Sequence, residues 1–146
     1  MKSICGKWVH GVADVQFEDY TIEVIGAIDD KINAVLEGCA GEIKAQVVRN
    51  TRVDQGHTKN SWQHHVDDAS HTATIGSSYE NAIWEEFGTG EYALKGNGRK
   101  GGWAYEDAKG DWHKTHGKKP SRAFFKAYTS MKNKIITKIQ NSLKGL

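Results

Sequence analysis

Long apolar segments and paired cysteines are missing from this sequence of 146 residues, whose mean hydropathy is −0.64. No segment approaches the roughly 18 consecutive apolar residues of a membrane-spanning helix, so we predict no membrane association. The opening residues MKSICGKWVHG contain no apolar core and no small-residue cleavage site, which predicts no signal peptide and synthesis in a cytoplasm. Cys5 and Cys39 lack C-x-x-C spacing, and Cys39 falls on an apolar helical stripe, which indicates a buried free thiol.

Phosphate-binding and metal-binding motifs are also missing. Residues Gly96, Gly98 and Gly101 match the dinucleotide fingerprint G-x-G-x-x-G by letter. That fingerprint needs a strand before it and a helix after it, whereas a strand-like Trp/Tyr segment follows here. The seven histidines show no zinc spacing, and neighbours on a strand, such as His64 and His65, face opposite sides. We therefore predict no cofactor and no metal.

A catalytic pair of side chains is not evident either. Glu85 and Glu86 are adjacent, and adjacent helical positions point about 100° apart, so the two carboxylates would not converge on one substrate. No serine or cysteine nucleophile stands with a matched base. We therefore predict that the protein is not an enzyme and assign no catalytic residue.

Charge is unevenly distributed along the chain. Residues 14–50 carry 8 acids and 3 bases, residues 51–94 carry 7 acids and 2 bases, and residues 95–146 carry 13 bases and 3 acids. Such a chain could pair head to tail with copies of itself, or turn its basic portion toward nucleic acid, or simply present a solvated surface.

Two segments have the apolar period of long helices. The first runs from about Asp19 to about Arg49, and the second follows Pro120 and Ser121, which suit the first turn and the cap of a helix. Gly38 and Gly41 lie inside the first helix and indicate a bend or a close helix contact. The apolar stripe of the second helix consists of Phe124, Tyr128, Met131, Ile135, Ile139 and Leu143.

The segment between the helices predicts two hairpins. In the first, Trp62, His64 and Val66 alternate on one face, and in the second Trp103 and Tyr105 precede a turn and Trp112 follows it. A short helix, YENAIWEEF, lies between the hairpins and ends at GTG. We therefore predict one α+β domain over residues 1–146, with an N-terminal extension at 1–17 and a small antiparallel sheet of two hairpins packed with the two long helices.

The segment KGNGRKGG, residues 95–102, has four glycines and no apolar side chain, which predicts a flexible basic loop. Its cations, together with others that follow, could track a phosphate backbone without reading base sequence, and Trp103 and Trp112 could stack on bases or pack on the helices. A plain solvated loop is the alternative. The basic residues concerned are Lys95, Arg99, Lys100, Lys114, Lys118, Lys119 and Arg122.

Three stretches together resemble a family of small tailed-phage proteins, the tail-component or head–tail joining and tail-completion group, which is often encoded in prophages. They are VDQGHTKNSW, YENAIWEEFGTG and GGWAYEDAKGDWHKTHGKKPSRAFFKAY, and the resemblance covers about residues 17–146. Gln55 replaces the usual threonine, and Thr58 and Lys59 stand where leucine is common. The motif positions carried over are Asp54, Gly56, Ser61, Glu86, Phe87, Gly88, Thr89, Gly90, Gly117, Pro120, Phe124 and Ala127.

The resemblance implies a structural subunit of the phage neck or upper tail: a head–tail connector, tail-completion or tail-terminator protein. It implies a homo-oligomeric ring, six copies being our expectation, that contacts adjacent connector and tail tube proteins and is located in the virion after assembly in the host bacterial cytoplasm. Non-specific contact with DNA in the channel is a further expectation. The alternative is a small cytoplasmic nucleic-acid-binding module that uses the basic C-terminal third.

We assign three groups of residues to these roles. We expect Phe87 to lie in the core, and Gly88 or Gly90 to have a positive φ at the end of the short helix. The predicted assembly interface is Glu85, Glu86, Phe87, Gly88, Thr89 and Gly90. The predicted flexible arm or DNA-channel loop, disordered in the free subunit, contains Lys95, Arg99 and Lys100, with Lys118 and Lys119 nearby. The predicted structural residues are Asp54, Gly56, Pro120 and Phe124.

Overall fold

A computed structural model of the protein describes residues 19–53 and 56–144. The elements in chain order are helix α1 (Thr21–Asn50), helix α2 (His57–Asn60), strands β1 (Trp62–Asp67) and β2 (Thr72–Ser77), helix α3 (Asn81–Phe87), a 3-10 turn (Gly90–Tyr92), strands β3 (Trp103–Glu106) and β4 (Trp112–Thr115), and helix α4 (Ala123–Leu143). The α+β fold predicted from the sequence is confirmed. The predicted N-terminal extension lies outside the described residues.

The two long helices pack against each other in antiparallel directions. Val47, near the end of α1, shares a buried cluster with Ala127, near the start of α4. Further along, Cys39 of α1 clusters with Met131 and Ile135 of α4. The burial of Cys39 agrees with its predicted place on the apolar stripe, and burial raises the pKa of its thiol. In this pairing each helix buries its apolar face against the other. Such packing of apolar faces supplies most of the stability of helices in proteins.

The first hairpin, β1–β2, lies against α1 and brings Trp62 into the core. The strands pair antiparallel, with Trp62 opposite Ser77. The indole Nε1 of Trp62 donates a hydrogen bond to the hydroxyl of Thr51 at 3.0 Å, and that hydroxyl donates to the carbonyl of Val47 at 2.8 Å. The Trp62 ring also stacks on Phe124, with 5.9 Å between centroids. A buried indole thus keeps a partner for its polar edge.

The structure corrects details of the sequence prediction. The two hairpins form two separate two-stranded sheets, β1–β2 and β3–β4, and not one sheet. Ser121 does not cap α4, because the helix begins at Ala123 after Arg122, which has a φ of 55°. Of the two alternatives predicted for Gly41, a bend or a close helix contact, the close contact is excluded, since a Cβ added there would meet no atom within 4 Å.

Ala127 tests how tightly α1 and α4 are packed. Ala127→Leu should lower the free energy of unfolding by about 1–3 kcal/mol, because the added atoms have no space in the fully buried contact with Val47. Ala45→Leu, at an exposed position of α1, is the matched control and should change it by less than about 0.5 kcal/mol. Urea unfolding measures both, and equal effects would contradict the packing described.

An ion cluster between the long helices predicts acid sensitivity. Glu42 of α1 accepts a hydrogen bond from Lys138 of α4 and forms an ion pair with Lys134 at 3.2 Å. These contacts, mainly that with Lys138, hold the pKa of Glu42 below its ordinary value of 4.5. A carboxylate whose pKa is lowered by folding stabilises the fold above about pH 4.5, and this contribution is lost as the pH falls through the folded pKa.

The expected result is that Glu42→Gln destabilises the protein at pH 7 and that the difference from the wild type shrinks in acid. Thermal unfolding across a pH series measures this. Glu106→Gln at an exposed position of β3 is the control, and a Glu42→Gln effect that is independent of pH would count against the ion cluster.

Candidate assembly surface

The two glycine-containing motif segments lie side by side although they are distant in sequence. The amide of Thr89 donates to the carbonyl of Lys118 at 2.9 Å, and the amide of Lys118 donates to the hydroxyl of Thr89 at 2.9 Å. The amide of Glu91 donates to the carbonyl of His116 at 2.9 Å. These bonds join residues 88–91 to residues 116–118, and we call this contact the glycine junction.

Glycine is required at the centre of this junction because the two backbones touch. A Cβ added to Gly90 would lie 2.2 Å from the carbonyl oxygen of His116, and one added to Gly117 would lie 2.1 Å from that of Thr89. The φ of Gly88 is 75° and that of Gly90 is 59°, so the predicted positive φ at the end of α3 is confirmed. Both close approach and backbone conformation exclude larger residues here.

The basic loop is also attached to the junction. A Cβ added to Gly98 would lie 2.0 Å from the carbonyl oxygen of Gly90, so the loop backbone packs directly on the 3-10 turn. The amide of Gly101 donates to the carboxylate of Glu91 at 3.0 Å. Residues 95–102 therefore have specific contacts within the subunit, and their disorder in a free subunit stays a prediction.

Glu86 caps the start of α4. Its two carboxylate oxygens accept from the amides of Phe124 and Phe125, each at 2.9 Å. These amides lie in the first turn of α4, where backbone N–H groups have no partner within the helix and the helix dipole favours a negative charge. The sequence did not reveal this role, because the capping group lies 38 and 39 residues before the amides.

Most of the other charged residues of the predicted site also have partners within the subunit. Glu85 forms an ion pair with Lys118. Three cations lie over aromatic rings: Lys95 over Phe87, Arg99 over Trp103 and Lys119 over Tyr92, with 5.5–6.0 Å between the cation and the ring centroid. Lys100 is exposed near Glu91. Whether these side chains touch DNA stays a prediction.

Phe87 is not in the core, contrary to expectation. Its side chain is 45% exposed and, with Ile83 and Leu94, lines two apolar grooves on the surface. The larger groove, of about 590 Å³, runs between β1–β2, α3 and the start of α4, and we call it the α3–α4 groove. The smaller one, of about 410 Å³, lies between α3, the junction and the basic loop. Gly88, Thr89 and Gly90 line this smaller groove.

The predicted structural residues have defined positions. Gly56 has a φ of 81° directly before α2, and Pro120 lies against Gly88, where an added Cβ would be 2.8 Å from the proline ring. Phe124 stacks on Trp62 as described. Asp54 lies outside the described residues. Trp112 of the second hairpin is 70% exposed, so it is not packed on the helices.

Residues 19–53 and 56–144 contain neither a metal-binding cluster nor a membrane-spanning helix. Within these residues no group of three or more His, Cys, Asp or Glu side chains is arranged to hold a metal ion. None of the helices in the same part of the chain is long and apolar enough to cross a membrane.

The cap on α4 can be tested by truncating its carboxylate. Glu86→Ala should lower the free energy of unfolding by about 0.5–2 kcal/mol, since two first-turn amides lose their acceptor. Glu85→Ala is the matched control on the preceding residue, and loss of its pair with half-exposed Lys118 should cost about 0–1 kcal/mol. Chemical denaturation measures both, and an effect of Glu85→Ala as large as that of Glu86→Ala would argue against the cap.

Comparison with known proteins gives one match. Residues 16–88, half of the chain, match the model of a family described as "Bacteriophage HK97-gp10, putative tail-component". No curated protein and no solved structure matches the chain significantly. The match includes α1, the first hairpin and α3 up to Gly88, and it ends before the second half of the glycine junction. The chain therefore belongs to the HK97-gp10-like family of bacteriophage tail components.

Proposed function

We propose that this tail component is a non-enzymatic structural protein of the head–tail junction or tail end, where six copies form a ring. Its partners would be copies of itself, the adjacent head–tail connector protein and the tail tube protein. The observation that carries this proposal is the exposed apolar surface around α3, which surrounds the family motif. Exposed and contiguous apolar patches with polar rims are typical of protein interaction sites.

The apolar surface refines the predicted interface. The predicted interface includes Glu85 and Glu86, but the carboxylates of these two residues are bound within the subunit. The side chains available to a neighbour on α3 are instead Ile83, Trp84 and Phe87, each about half exposed. In this proposal the glycine junction acts as a rigid support that holds these side chains in place, and the apolar residues supply the contact.

The basic loop is suited to a second contact. Lys95, Arg99 and Lys100 are exposed, and Lys95 and Arg99 line the smaller groove. In a ring with a central channel, such side chains could face DNA and bind phosphates without sequence preference. A closed ring needs a heterologous interface, in which one patch of a subunit meets a different patch of the next.

Replacing an exposed aromatic residue separates folding from assembly. Trp84→Ser should keep the melting temperature within a few degrees of the wild type, because this side chain is half exposed, but should abolish oligomers. Ile136→Ser, at an exposed position of α4, is the matched control and should assemble normally. Mass photometry and negative-stain microscopy, with and without the neighbouring phage proteins, measure assembly.

Three outcomes decide the proposal. Rings that disappear in Trp84→Ser and persist in Ile136→Ser support it. Rings that persist in both variants move the interface away from α3. A wild-type chain that stays monomeric, alone and with the neighbouring phage proteins, and binds DNA tightly would favour the nucleic-acid-binding alternative.

A further inference from the structure

The first turns of α1 form an apolar surface of their own. Ile22 is 77% exposed, and Val24 and Ile25 are each more than half exposed. Ile22 and Ile25 are three residues apart, so they lie on the same face of the helix. Exposed apolar residues at the start of a long helix are unusual for a helix that only packs within its own subunit.

The position of α4 explains why this end of α1 is exposed. Leu143, at the end of α4, follows Ile139, which packs on the cluster of Cys39. Since α1 has 30 residues and α4 has 21, the antiparallel pairing leaves the first turns of α1 beyond the end of α4. The segment from Thr21 to Ala27 is exposed throughout.

The α3–α4 groove lies at the opposite end of the helix pair. Asn50, the last residue of α1, donates a side-chain hydrogen bond to the carbonyl of Ala123, and the groove is lined by the next residues, Phe124 and Phe125. A rise of 1.5 Å per residue separates Ile22 from Asn50 by about 40 Å. Because α1 is continuous, its start cannot fold back into the groove of its own subunit.

Charge also favours contact between these two surfaces in different copies. Residues 19–30 contain the acids Asp19, Glu23, Asp29 and Asp30 and no base. Arg122 lines the groove, and Lys95 and Lys132 lie beside the groove residues Phe87 and Tyr128. Two carboxylates also line the groove, but that of Glu86 is engaged by the first-turn amides of α4. Complementary potentials of this kind select orientation and speed association.

We infer that the first turns of α1 of one copy occupy the α3–α4 groove of the next copy. Ile22 and Ile25 contact Ile83, Phe125 and Tyr128, and the acidic residues of α1 face the cations at the groove edge. The contact is head to tail, because the two surfaces lie at opposite ends of the subunit and are different from each other. This inference rests on the proposed self-assembly and identifies the two patches that meet.

Self-association of the full chain tests the inference. Ile22→Ser combined with Ile25→Ser should raise the dissociation constant of the oligomer about thirty-fold or more, as expected when a central apolar anchor is lost. Tyr128→Ser should have a similar effect from the groove side. The three substitutions together should raise the dissociation constant by less than the product of the separate effects, because both sides belong to one contact. Ile136→Ser is the control, and circular dichroism verifies that each variant is folded. Analytical ultracentrifugation measures the constants.

Cross-linking tests which surfaces meet. One chain carries Ile22→Cys and another carries Ile83→Cys, both with Cys5→Ser, and Cys39 is protected by burial. A short bismaleimide should join the mixed chains faster than it joins either chain to itself. Cross-links that form only between identical positions would overturn the head-to-tail contact.

The outcomes separate this inference from the proposed ring. If the wild type forms rings that the α1 variant leaves intact, the inference is wrong and the ring remains. If the α1 and groove variants both dissociate an open head-to-tail chain of subunits, the inference holds and the closed ring is wrong. If deletion of residues 1–18 disrupts rings that the α1 variant leaves intact, the occupant of the groove is that segment, and the inference is wrong. A wild type that is monomeric at every concentration, alone and with its neighbours, overturns both.

Discussion

The contact between two backbones at the glycine junction determines how α3 is placed relative to α4. The 3-10 turn after α3 and the segment before α4 lie at backbone van der Waals distance, so no Cβ fits at Gly90 or Gly117. This distance fixes α3 relative to α4. It therefore also fixes where the exposed side chains of α3 are presented and how deep the groove between the helices is.

The cap by Glu86 depends on that contact. A carboxylate can accept from two first-turn amides of another helix only if the two elements are held within a few tenths of an ångström of the correct separation. In an ordinary N-cap the accepting side chain is adjacent in sequence to the first-turn amides, whereas here it comes from another helix. The cap links the end of α3 to the start of α4, so a displacement of either helix end changes the position of the other.

The sequence was informative about elements and less informative about their connections. The period of apolar residues correctly predicted both long helices, and alternation correctly predicted both hairpins, because these signals are local. Ser121 looked like a cap for the same local reason, yet a distant glutamate has that role. Phe87 looked like a core residue because it is large and apolar, but its position on α3 depends on packing that periodicity over seven residues cannot resolve. The glycines of the motif were visible in the sequence, whereas the partner of each one was not.

The antiparallel pairing of α1 with α4 also has a consequence for biosynthesis. α1 ends at Asn50 and α4 begins only at Ala123, so at about 5–20 residues per second a ribosome needs several seconds to supply the second helix after completing the first. During that interval β1–β2 is the first partner that emerges for α1, and Trp62 can pack on Val47 before Ala127 exists. Until α4 is complete, the nascent chain therefore carries a long amphipathic helix whose α4-facing side, around Cys39, is uncovered.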